Sequence, residues 1–127
     1  MTTAGSIDFK HSFREEARET VADLEATLLA LNECRVGSEG DPEQERERVG
    51  RVFRALHTIK GSGAMFGFDA LSGFTHNLEN AFDAVRQGRL AVTAELTDVT
   101  LSALDQIRAM VEADGGAAVA HPVCAGA

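Results

Sequence analysis

Four stretches of this chain repeat apolar residues at the period of an α-helix, and no stretch alternates them at the period of a strand. In the first stretch Phe9, Phe13, Ala17, Val21, Leu24, Leu28 and Leu31 fall within a stripe roughly 120° wide. The second carries Val49, Val52, Phe53, Leu56, Ile59, Gly63 and Phe66, and the third Leu71, Phe74, Leu78, Ala81, Phe82 and Val85. The fourth carries Leu96, Val99, Ala103, Leu104, Ile107, Met110 and Val111. A helix with one apolar face must bury it against another element. Four such helices joined by short loops do so most simply as an antiparallel up-down-up-down bundle, so the expected fold class is all-α.

Local punctuation divides the segments. Gly37-Ser38-Glu39-Gly40 breaks the first helix, and Asp41-Pro42-Glu43-Gln44 starts the second with an N-cap aspartate, a proline in the first turn and a capping-box glutamine. Gly67 and Gly88 are predicted to close the second and third helices in the left-handed conformation, with Asp69 capping the third between them. Thr93 is the expected N-cap of the fourth, which should stop before Gly115-Gly116. The bundle is therefore assigned to residues 1–114, and the Gly/Ala-rich run 115–127 to a tail or the start of an interdomain linker.

The 127 residues leave room for one domain with its own core but not for a second catalytic domain. A formal charge of −8 argues against binding a phosphate backbone, so no nucleic-acid partner is expected. No apolar run approaches the roughly 20 residues needed to cross a bilayer, and the first residues lack the pattern of a secretory signal, which makes a cytoplasmic location the expectation. Cys34 and Cys124 are far apart and lack metal-ligand spacing, so both are read as free thiols. The isolated domain is expected to be monomeric.

Within the second helix, His57-Thr58-Ile59-Lys60-Gly61-Ser62-Gly63-Ala64 sets one histidine among small residues. Gly61 and Ala64 fall within roughly 40° of His57 on the helix surface, and neither can obstruct a bulky partner. The centre of the apolar stripe lies roughly 115° away, so His57 sits at the edge of the buried face. Lys60 lies between the two stripes, its stem free to follow the core edge.

This run, its continuation Phe66-Gly67-Phe68 and the later Thr75-His76-Asn77-Leu78-Glu79-Asn80 resemble the histidine phosphotransfer domains, in particular those at the N-terminus of CheA-type chemotaxis kinases. The resemblance extends from about Phe9 to about Glu112. It departs at Thr58, where serine is common, and at Ala64-Met65, but no reacting group is lost. It implies that His57 takes a phosphoryl group from the ATP-binding domain of a histidine kinase, on Nε2. An aspartate of a response-regulator receiver domain then accepts the group. The chain has no phosphate-binding loop, so no cofactor is expected in it; ATP and magnesium would belong to the kinase and receiver, and no autonomous ATP-dependent activity is expected. A short fifth helix can follow the bundle in this family.

Neutral imidazole suits phosphoryl acceptance because one nitrogen keeps a lone pair near neutral pH while the other carries the proton. A carboxylate accepting that N–H would fix the tautomer. Glu79 is the candidate, about 100° from the centre of its own apolar stripe and on a flank like that of His57. His76, three residues earlier, shares the flank and is expected to hold the carboxylate. Lys60 is expected to offer its cation to phosphoryl oxygens, and Gly61 with Ala64 to leave room for in-line attack and for the docked partner.

Taken singly, these residues have plainer readings: a half-buried histidine, a solvated lysine, an exposed His76, and glycines at 61 and 63 kept for packing, Gly63 above all. Two rivals from other classes stand beside phosphotransfer. One is a metal-binding bundle with His57, His76 and Glu79 as ligands, although His76-x-x-Glu79 reverses the order used by di-iron bundles. The other is a passive docking adaptor that never carries phosphate.

Overall fold

The computed structural model describes residues 2–37 and 41–113 and forms four helices: α1 (Thr2–Gly37), α2 (Pro42–Met65), α3 (Asp69–Arg86) and α4 (Ala94–Glu112). They form an antiparallel bundle in which α2 packs on α1 and α3, and α4 closes the ring against both α1 and α3. No helix among the described residues is long and apolar enough to cross a membrane. Residues 114–127, including the expected stop at Gly115-Gly116, the fifth helix and Cys124, lie outside the described residues.

The helix ends follow local chemistry. Asp41 is extended and its carboxylate accepts the Glu43 N–H at 3.0 Å, while Pro42 begins the helix where its missing N–H costs nothing. Gln44 does not return the reciprocal capping-box bond; one accepted N–H suffices at this exposed end. Thr93 caps α4 through its hydroxyl, which accepts the Leu96 N–H at 3.0 Å.

Gly67 and Gly88 take φ of +87° and +79°. At the first, the Phe68 N–H reaches the Gly63 carbonyl at 2.7 Å and the Gly67 N–H reaches Ala64; at the second, Arg89 reaches Ala84 at 2.9 Å and Gly88 reaches Val85. Both ends are Schellman turns, which require the left-handed residue. The first delivers the chain so directly into α3 that Phe68, not Asp69, occupies the N-cap, with no side-chain cap. Asp69 instead sits in the first turn, where its charge favours the positive end of the helix.

The core runs the length of the bundle through Leu24, Leu28, Leu31, Val52, Leu56, Leu71, Phe82, Leu104 and Ile107, all buried. Two stripe positions fall outside it. Phe9 is 63% exposed because it lies level with the end of α2, stacked on Phe66 at 6.3 Å. Val99 is 59% exposed because the buried face of α4 is centred on residues that include Thr97 and Thr100. These threonines, with Thr75 on α3, are buried because each hydroxyl donates to a carbonyl of its own helix, at 2.9, 2.7 and 2.7 Å.

Polar clamps join α1 to α4. Arg18 grips Glu112 with two bonds of 2.7 and 2.8 Å, Arg14 donates to the Val111 carbonyl at 3.0 Å, and Arg108 reaches Glu25 at 2.8 Å.

Candidate functional site

The tight turn between α2 and α3 sets the facing registers of these two helices, and this places His57 opposite Glu79. The His57 Nδ1 and Glu79 Oε2 are 2.6 Å apart, with side-chain exposures of 64% and 7%. The exposed ring thus rests on a carboxylate that solvent hardly reaches. Ser72 helps fix the pairing of the helices, its hydroxyl donating to the Lys60 carbonyl at 2.9 Å.

Lys60 is half-buried and its Nζ lies 2.6 Å from the other oxygen, Glu79 Oε1. One carboxylate therefore bridges ring and ammonium. Burial pushes the Glu79 carboxyl upward, but the hydrogen bonds and charges of Lys60 and His57 outweigh it and hold the group below its ordinary value. An ionised carboxylate can only accept, so in its neutral form the ring carries its proton on Nδ1 and donates that N–H to Glu79. Nε2 is left with a lone pair, and among the described residues it has no hydrogen-bond partner.

Phe53, one turn before His57, lies nearly parallel to the imidazole, with centroids 6.1 Å apart and planes inclined by 20°. The Arg86 guanidinium lies 4.3 Å from the Phe53 centroid and is tied to Asp83 at 3.1 Å. Gly61 and Ala64 are exposed on the turn after His57, and a Cβ built on Gly61 meets nothing within 4 Å.

The sequence-derived set divides accordingly. His57, Lys60 and Glu79 come together, and Gly61 and Ala64 lie open beside them. His76 does not join: it is exposed and forms no hydrogen bond with Glu79, whose two oxygens are already engaged by residues of α2. Lys60 points to the carboxylate, so the support assigned to His76 comes from Lys60 instead. Among the described residues no group of three or more His, Cys, Asp or Glu is arranged to hold a metal ion, so His57, His76 and Glu79, the ligands of the rival reading, do not come together as such a group. Phe53, which lies against His57, and Arg86, which lies over Phe53, were not among the site residues expected from the sequence. The signals were present: Phe53 is four residues before His57, and Arg86 is seven after Glu79.

The chain is 36% identical over 113 residues to the chemotaxis protein CheA of Treponema pallidum (strain Nichols), a match covering 89% of this chain and 13% of that protein. It is 38% identical over 106 residues to CheA of Bacillus subtilis (strain 168), covering 82% of this chain and 15% of that one. The chain thus spans about one-seventh of the length of these relatives. Among solved structures, it is similar to the phosphorylated P1 domain of CheA3 in complex with CheY6 from R. sphaeroides. That match has a TM-score of 0.69 and 27% identity, and covers 83% of this chain and 76% of the other. It is also similar to the CheA phosphotransferase domain from Thermotoga maritima, with a TM-score of 0.53, 32% identity and coverage of 78% and 93%. The model of the Hpt domain matches residues 8–119, a span that includes most of α1, the whole of α2, α3 and α4 and every residue of the His57 site, and the chain belongs to the Hpt domain family.

Proposed function

We propose that this chain carries phosphoryl groups on His57 between the ATP-binding domain of a CheA-type histidine kinase and the receiver domain of a CheY-like response regulator. The observation that carries the reading is the 2.6 Å contact from Nδ1 to a buried carboxylate, on a ring whose other nitrogen is open. In the forward step the Nε2 lone pair attacks the γ-phosphorus of ATP held by the kinase, the bond to the ADP oxygen breaks, and the Nδ1 proton stays in place. The phosphorylated ring gains positive charge, which the Glu79 carboxylate stabilises. In the second step a receiver aspartate attacks the same phosphorus and the N–P bond returns its electron pair to Nε2. Neither step needs a proton to move, so positioning and electrostatics are the protein's contribution.

Lys60 supports the reaction by anchoring Glu79, and the open surface at Gly61 and Ala64 admits the partner domains. Nucleotide and magnesium belong to those partners. We assign the bundle to residues 1–114 and the run 115–127 to a tail or the start of an interdomain linker, in a cytoplasmic and monomeric domain. Incubation with a CheA-type kinase domain and labelled ATP should label His57 in acid-labile form, and added receiver should remove the label. His57→Gln should abolish labelling while the helical signal persists, because the ring lies outside the core. Labelling of that variant at the wild-type level would refute the assignment, and receiver binding without any labelling would indicate an adaptor.

A further inference from the structure

A single hydrogen bond fixes the position of Nδ1 but leaves the plane of an exposed ring free to swing about it. The direction of the Nε2 lone pair depends on that plane, and in-line attack tolerates little misdirection. Phe53 supplies a second contact. Its ring is half-buried, inclined by only 20° to the imidazole at a centroid distance of 6.1 Å, within the range of favourable offset stacking. Phe53 is in turn covered by the Arg86 guanidinium at 4.3 Å, close enough for a cation–π contact, and Asp83 holds that guanidinium at 3.1 Å. The chain of contacts from α3 back to α2 ends on the face of the reacting ring.

We infer that Phe53, steadied by Arg86, is a positioning residue that sets the plane of His57 and so aims Nε2 at the incoming phosphorus. The inference rests on the phosphoacceptor reading of His57. It touches no phosphoryl oxygen and holds no proton; its effect passes entirely through the imidazole. Leucine at position 53 would keep apolar packing against α2 and α3 but offer no flat face. Tyrosine would restore the face.

The test uses the full chain with Phe53→Leu, Phe53→Tyr and Arg86→Gln, each checked for its helical signal. With a CheA-type kinase domain and magnesium ATP, Phe53→Leu should lower kcat about tenfold with KM within about twofold, a ratio that corresponds to modest loss of aim. Phe53→Tyr should return kcat to within about twofold of wild type, and Arg86→Gln should lower it about threefold. NMR relaxation of the His57 ring in the unphosphorylated chain needs no kinase. Its order parameter should drop below about 0.6 in Phe53→Leu and recover in Phe53→Tyr. A folded Phe53→Leu variant with wild-type kcat and an unchanged order parameter would overturn the inference, as would failure of tyrosine to rescue either quantity. If Phe53→Leu does not fold, the exposed Arg86→Gln decides on the same two readouts. If the wild-type chain is not labelled at His57, the phosphoacceptor reading fails while the relaxation data still report whether Phe53 orders the ring.

Discussion

The Nδ1 atom of His57 and the Oε2 atom of Glu79 are 2.6 Å apart, although the ring is largely in solvent and the carboxylate is nearly closed to it. The pair divides two requirements that conflict in a single environment. On the proposed phosphoacceptor reading, the nucleophile must meet a partner protein, and its proton must be held where water does not compete.

Removing the carboxylate is therefore expected to damage chemistry more than docking. Glu79→Gln should slow phosphorylation by the kinase about 10- to 100-fold, by analogy with the loss of carboxylates that orient metal-ligating histidines, with receiver affinity within about threefold. Initial rates with labelled ATP and calorimetric titration of the receiver would check the two halves. Equal losses in both would argue for a misfolded surface in place of a lost orienting group.

Lys60 is expected to act on the carboxylate before it acts on phosphate. Lys60→Met keeps the apolar stem and removes the ammonium from Oε1, leaving half of a buried carboxylate without its partner. Unfolding in urea at neutral pH should show a loss of about 1–3 kcal/mol, and phosphorylation should slow less than in Glu79→Gln. A stability equal to wild type would mean that the bridge contributes nothing net.

The same carboxylate predicts an acid-sensitive fold. Its folded-state value lies below the ordinary 4.5, so the native state binds its proton less readily than the unfolded chain does. The associated stability is complete above the unfolded value and disappears as pH falls through the folded one. Glu112 behaves in the same direction: the Arg18 hydrogen bond lowers it, burial opposes, and the charges of Arg18 and Arg14 add to the lowering. Urea midpoints should be level from pH 7 to about 5 and fall below about 4.5, and Glu79→Gln should flatten part of that fall. A midpoint unchanged down to pH 3 would contradict the ionised bridge.

Two glycines offer a separation of stability from recognition. A Cβ at Gly61 meets nothing within 4 Å, and one at Gly63 meets Leu71 and the Phe68 carbonyl at 3.5 Å, an ordinary contact. Gly63 is thus not required by packing, contrary to the sequence-based expectation. Gly61→Ala and Gly63→Ala should each raise stability by up to about 1 kcal/mol through helix propensity. Gly61→Leu should leave the fold intact yet slow transfer to the receiver, measured by chasing label from the phosphorylated chain. Transfer at the wild-type rate would place the docking surface elsewhere.

Much of the bundle was readable from one chain of residues because its punctuation is local. Asp41, Thr93, Gly67 and Gly88 each do what their side chain or its absence dictates within one turn. The misreadings have causes that lie partly between helices. Thr97 and Thr100 look polar in a sequence, but their hydroxyls are satisfied by their own helix, so they replace Val99 in the core. His76 and Glu79 share a helix flank, yet which of them faces α2 depends on how two helices are rotated against each other. The partnership of Lys60 with Glu79 depends on the same rotation, and helical period alone does not specify it. Phe53 was counted as core because an aromatic at an apolar stripe position carries no mark of its second contact.

The connection Phe66-Gly67-Phe68 closes α2 and α3 into one hairpin that holds Phe53, His57, Lys60, Glu79 and Arg86 together. The whole of the proposed site is thus contained in a contiguous stretch of sequence. The contact that places the imidazole proton therefore calls on no side chain of α1 or α4, and the α2–α3 hairpin sets it alone.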